Sequence, residues 1–149
     1  MTKEELYADL DKLLNFDAEI AQKSDEIEYF RMFVSANGGD SVSVTDPLIA
    51  DCIRKVCEIE KAIRADVSEM LDLKTRYLNL FREIQDHDCR ALLEYRYIIG
   101  LTWEEVAAKM GRSYVHVQHR VQKKAMLHLE SICYRHEINK RWSEMNEKK

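Results

Sequence analysis

The sequence predicts an all-α protein: a long antiparallel, coiled-coil-like helical hairpin followed by a helix-turn-helix module. Three observations lead there. Four glycines and one proline in 149 residues are too few turn formers for an all-β chain. Charged side chains make up 34% of the sequence, as expected for long solvated helices. Apolar residues also recur every seventh position through the first half.

The first helix is predicted from Leu6, Leu13, Ile20, Ile27 and Val34, which stand seven apart, with Leu10, Phe16 and Phe30 widening the stripe. Such a repeat keeps one seam facing a partner helix, although Asp17, Ser24 and Arg31 interrupt it. Asn37-Gly38-Gly39-Asp40-Ser41 is the expected loop. Asp46 is a good N-cap and Pro47 suits the first helical position, where its missing N–H costs nothing. Ile49, Val56, Ile63, Met70, Tyr77 and Ile84 then repeat the spacing, joined by Ile53, Val67 and Phe81, and no breaker occurs before the region of Asp86. Residues 1–86 are therefore expected to form a helical hairpin that serves oligomerisation or partner binding.

Charge is unevenly distributed. Residues 1–45 carry 4 basic and 10 acidic groups, whereas residues 112–149 carry 9 basic and 4 acidic ones. No acid occurs between Glu105 and Glu130, a stretch that holds Lys109, Arg112, Arg120, Lys123 and Lys124 with His116, His119 and His128. A basic end on an acidic chain suits a phosphate backbone.

Residues 87–134 read as a helix-turn-helix DNA-binding domain. Arg90–Ile99 is a short helix offering Leu92, Leu93, Tyr95, Tyr97 and Ile98 to a core, and Gly100 ends it. Thr102-Trp103-Glu104-Glu105 has the form of a capping box. The helix that it opens ends at Gly111, and Ser113 caps a second helix running to Leu129. Ala107 is small where two helices approach, Gly111 permits a tight turn, and Val106, Met110, Val117 and Val121 supply apolar contacts. The second helix is expected in the major groove of double-stranded DNA. Tyr114, His116, Gln118, His119 and Gln122 are expected on its solvent side, with Gln118 and Gln122 suited to adenine and Arg112 or Arg120 to guanine. Lys109, Lys123 and Lys124 suit phosphates, and Thr102 and Ser113 can join them near helix N-termini. Because one module binds weakly, a homodimer is expected. Residues 135–149 form a helical or partly disordered tail, in which Ile138, Trp142 and Met145 share a helical spacing that favours a continued, docked helix.

The stretch from Leu92 to Leu129 resembles the −35-element-reading region of bacterial sigma factors. The residues that carry the likeness are Leu93, Arg96 and Tyr97, Gly100-Leu101-Thr102, Glu105-Val106-Ala107, Met110-Gly111, Ser113, Val117, Arg120 and Val121. Arg120 and Val121 look more like the extracytoplasmic-function type than the primary type. The whole chain is similar to a family of small prophage-encoded proteins of Gram-positive bacteria, regarded as late-gene-type regulators. The resemblance implies a sequence-specific transcriptional regulator, with host RNA polymerase as a further partner. No segment resembles the sigma region that grips core polymerase, so a complete sigma factor is not expected. Two other functions fit the same layout: a DNA-recognition small subunit of a phage packaging machine, and a protein–protein interaction module.

No enzyme is expected. The chain lacks G-x-x-x-x-G-K, G-x-S-x-G and H-E-x-x-H, and it shows no catalytic constellation. Cys133-x-x-His136, with His116, His119 and His128 on the same helix, would point to different faces, so neither a metal nor another cofactor is expected. Cys52, Cys57, Cys89 and Cys133 lack C-x-x-C spacing and read as reduced thiols of a cytoplasmic protein. No signal segment is visible at the acidic N-terminus, and no apolar run approaches the ~18 residues of a membrane span.

Overall fold

A computed structural model describes residues 1–38 and 46–147, and the protein is all-α, with no strand among the described residues. The elements are α1 (Lys3–Gly38), α2 (Pro47–Arg82) and α3 (His87–Leu93), which runs into a wide turn, Glu94–Ile99. They are followed by α4 (Trp103–Met110), then by α5 (Tyr114–His116), a second wide turn Val117–Val121, and α6 (Gln122–Glu147). No described helix is long and apolar enough to cross a membrane. From Gly39 on, the loop expected at Asn37–Ser41 lies outside the described residues.

The chain divides into two compact units, Asn15–Leu71 and Met1–Leu14 with Asp72–Lys149. In the first, α1 and α2 run antiparallel: Lys23 pairs with Asp66, and Arg31 with Glu60 at 2.9 Å, so numbering rises on one helix as it falls on the other. Ile27, Ile49, Cys52 and Met70 are buried, and Ile20, Val34, Val56, Ile63 and Val67 are half-buried. The polar seam position Arg31 is used at the surface, in its ion pair. Ile53, expected in the seam, is instead exposed.

The second unit is bounded differently from the division expected at residue 86. Its buried side chains include Leu6, Leu10 and Leu13 of α1 and Tyr77, Leu80, Phe81 and Ile84 at the end of α2, together with Cys89, Leu92, Leu93, Val106, Val117, Ala125 and Leu129. The N-terminal end of α1 and the C-terminal end of α2 thus belong to the same core as the C-terminal elements. Polar contacts reinforce this. The Tyr77 hydroxyl donates to Asp9 at 2.6 Å, Arg76 meets the same carboxylate at 2.7 Å, and the Tyr7 hydroxyl donates to Glu130 at 2.8 Å. The Met1 amine pairs with Glu137 of α6. The Glu130 carboxylate beside Tyr7 pushes its phenol up to about 12, so the hydroxyl remains a donor at neutral pH.

Local chemistry sets the helix boundaries around residue 100. Asp86 caps α3, its Oδ1 accepting from the Cys89 backbone N–H at 3.1 Å, so this helix begins at His87, three residues before the Arg90 expected. It then opens into the wide turn, where the Gly100 and Leu101 N–H groups both donate to the Tyr95 carbonyl, and Tyr95 and Ile98 end half-buried. Gly100 (φ 87°) ends the segment in the left-handed region. The capping box forms: Thr102 Oγ1 accepts from the Glu105 N–H at 3.2 Å, and Glu105 Oε1 accepts from the Thr102 N–H at 3.3 Å. Trp103 lies under the Arg96 guanidinium, 4.7 Å from ring centre to Cζ, while Arg96 donates to the Leu101 carbonyl at 2.9 Å.

Gly111 closes α4 with φ 66°, and the Arg112 N–H reaches back to the Ala107 carbonyl at 3.1 Å. A side chain at Gly111 would meet nothing within 4 Å, so only the backbone conformation demands glycine there. Gly111→Ala is accordingly expected to cost about 1–2 kcal/mol, the strain of an L-residue in the left-handed region. A urea melt checks this, and an unchanged midpoint would contradict it.

Candidate nucleic-acid interface

Ser113 starts the second helix as its sequence suggests, its Oγ accepting from the His116 N–H at 3.2 Å. The helix is not regular beyond that point. The Gln122 N–H donates to the Val117 carbonyl, an i→i+5 bond that widens the turn Val117–Val121. In this wider turn each residue advances by less than the α-helix's ~100°. Val117, Val121, Ala125 and Leu129 form the buried line, while Arg120, which a regular helix would carry close to Val117's face, is exposed.

The expected contact residues fall into two sets. Thr102, Lys109, Arg112, Ser113, Tyr114, His119, Arg120, Lys123 and Lys124 are exposed, whereas His116, Gln118 and Gln122 are half-buried. Gln118 and Gln122 stand beside the buried line rather than opposite it, because one residue's advance turns only ~100°. They line a groove with His119 and Lys123 whose other wall includes Lys3 and Tyr7. Truly opposite Val117 and Val121 lie Val115 and His119, then Lys123 and Leu127. Val115 is 63% exposed and Leu127 67% exposed. Neither Val115 nor Leu127 is among the expected contacts, although counting two residues back from the buried Val117 and two on from the buried Ala125 finds both.

Two of the cations are tethered. Arg112 pairs with Asp88 at 3.2 Å and Lys124 with Asp86 at 2.7 Å, so acids from the start of α3 restrain both. Lys109, Arg120 and Lys123 make no ion pair among the described residues. Asp88→Asn would release Arg112 and remove a negative charge beside the ridge. Duplex affinity at low salt is therefore expected to rise about threefold, within the modest range of an exposed pair, as fluorescence anisotropy would report.

The Lys124 ammonium, and after it the Cys89 backbone N–H, hold the Asp86 carboxyl down at about 2. An unfolded aspartate titrates near 3.9, approximately. The depressed value means that this stabilisation is complete above about pH 4 and is lost as pH falls toward 2. Asparagine can still cap α3, so Asp86→Asn is expected to flatten that acid limb selectively, as denaturant midpoints measured down the pH scale would show.

Asp86, Cys89 and His128 bring a carboxylate oxygen, a thiol and an imidazole nitrogen within 4.8 Å of one another, a cluster that the sequence gives no spacing to find. The donor set is one that a divalent metal uses, yet two members are committed elsewhere. Lys124 and the Cys89 N–H already take the two oxygens of Asp86. Burial, and then Asp86 itself, pushes the Cys89 thiol up to about 11, which raises the cost of the thiolate that a metal would need. The cluster fits a clasp between α3 and α6 better than a metal centre. Cys133 and His136 diverge, the first buried and the second exposed and 2.7 Å from Glu83.

No family model matches the chain, and no curated protein or solved structure matches it either.

Proposed function

We propose that the chain is a sequence-specific DNA-binding transcriptional regulator of the prophage type, reading the major groove with the continuous segment from α5 into α6. One observation carries the reading: an exposed face of Val115, His119, Arg120 and Lys123 whose two cations make no ion pair among the described residues, Arg120 sharing a groove with Asp86 and Asp88. A helix of this width fits the major groove, and its first turns would meet base edges. Arg120 can fork onto guanine and Val115 can meet a thymine methyl, while Lys123 and Lys109 neutralise phosphates. Thr102 and Ser113, each exposed and each capping a helix, add phosphate contacts of the kind helix starts favour. The likeness of Leu92–Leu129 to the −35-reading region of sigma factors supports the same docking, and with it RNA polymerase as a neighbour on the promoter.

Selection from a random duplex library tests the proposal. The protein is expected to enrich one common sequence and to bind it with an affinity that falls on log–log axes by about 0.9 per phosphate contacted as salt rises. Failure to retain any duplex at ~50 mM salt, where nonspecific binding is strong, would overturn it.

A further inference from the structure

The last core residues of α6 are Ile132 and Cys133, yet the helix continues to Glu147. Every described side chain from 138 onward is exposed. The extension nonetheless carries an apolar stripe at spacings of four, four and three: Tyr134 (69% exposed), Ile138 (45%), Trp142 (67%) and Met145 (66%). The helix continues as expected, and Trp142 meets no core within the described residues of its own chain. So short an exposed segment gains little stability from helix propensity alone, and a large aromatic displayed in this way asks for a partner.

We infer that the partner is a second copy of the same segment, packed antiparallel. The segment is self-complementary in that direction. Setting Tyr134 against the second copy's Met145 places Ile138 close to its Trp142 and brings Arg141, which meets Glu137 of its own chain at 3.4 Å, alongside the second copy's Glu137 as well, twice over by symmetry. Beside the stripe lies a groove of about 410 Å³, lined by Leu6, Cys133, Tyr134, Ile138 and Arg141 among others, which offers a seat for the second copy's Trp142. Two aromatics and two aliphatics from each copy, at about 150–250 Å² per aromatic, bring the contact near the roughly 1,000 Å² that a specific interface needs. This pairing does not rest on DNA binding. It assigns dimerisation to the end of α6 rather than to the seven-residue seams of α1 and α2.

Sedimentation equilibrium and disulfide trapping test it in the full chain, with exposed Cys57 replaced by serine to remove a competing thiol. The parent protein is expected to sediment as two chains. Trp142→Ala with Met145→Ala should return it to one chain with the circular dichroism still that of a folded helical protein, losing at most the signal of the residues beyond 137. A mixture of Tyr134→Cys and Met145→Cys proteins should form the mixed disulfide, while each variant alone should cross-link poorly. A single-chain mass for the parent, a two-chain mass that survives the double alanine variant, or efficient Tyr134→Cys self-cross-linking would each overturn the proposal. Loss of dimer with retained duplex binding would leave the functional reading intact.

Discussion

Replacing Arg120 and Lys123 together with alanine is expected to weaken duplex binding roughly 50-fold, with the melting temperature unchanged. The size follows from one base-edge contact at about 1–3 kcal/mol plus one phosphate contact. Both side chains are exposed and neither holds an ion pair among the described residues, so nothing in the fold depends on them. The two substitutions should also act differently. Lys123→Ala should lower affinity for all sequences and reduce the salt slope by about one, while Arg120→Ala should also relax sequence preference at one base pair. Lys124→Ala provides the contrast, because its ammonium is engaged by Asp86 and its removal should cost less binding. Anisotropy titrations at several salt concentrations separate these cases.

The second large effect is on folding. Phe81 is fully buried, its ring 6.1 Å from that of the equally buried Tyr77. Phe81→Ala is expected to cost about 3–5 kcal/mol, a large part of the ~5–15 kcal/mol by which domains of this size are stable. Because Phe81 lies in the core that also holds Val106, Val117 and Leu129, duplex binding should disappear in the same transition as the tertiary fold. Comparing urea midpoints with duplex binding at matched urea concentrations checks the coupling. If Phe81 supported only a separate hairpin, binding would persist after the substitution had melted it.

Much of this was legible in the sequence because it depends on local chemistry. The capping box at Thr102 and Glu105, the left-handed glycines at 100 and 111, and the Ser113 cap each need only neighbours three or four residues away. The seven-residue spacing likewise located Leu6, Leu13, Ile27, Met70, Tyr77 and Ile84 in buried positions. What spacing does not encode is which core a buried residue joins, so the ends of α1 and α2 were assigned to a hairpin of their own. The wide turn at Val117–Val121 escaped for a similar reason. One added residue per turn changes no composition, yet it brings Arg120 out to solvent. Long-range ties such as Arg112–Asp88 and Lys124–Asp86 span 24 and 38 residues, and no periodicity foretells them.

Amide chemical shifts during titration with a short duplex at ~50 mM salt test the central claim most directly, since nonspecific binding suffices and no operator need be known. Perturbations centred on Arg112–Leu127, fading as salt rises, are the expected result. Shifts that leave this ridge untouched, or that appear only in α1 and α2, would contradict the assignment of this face to DNA.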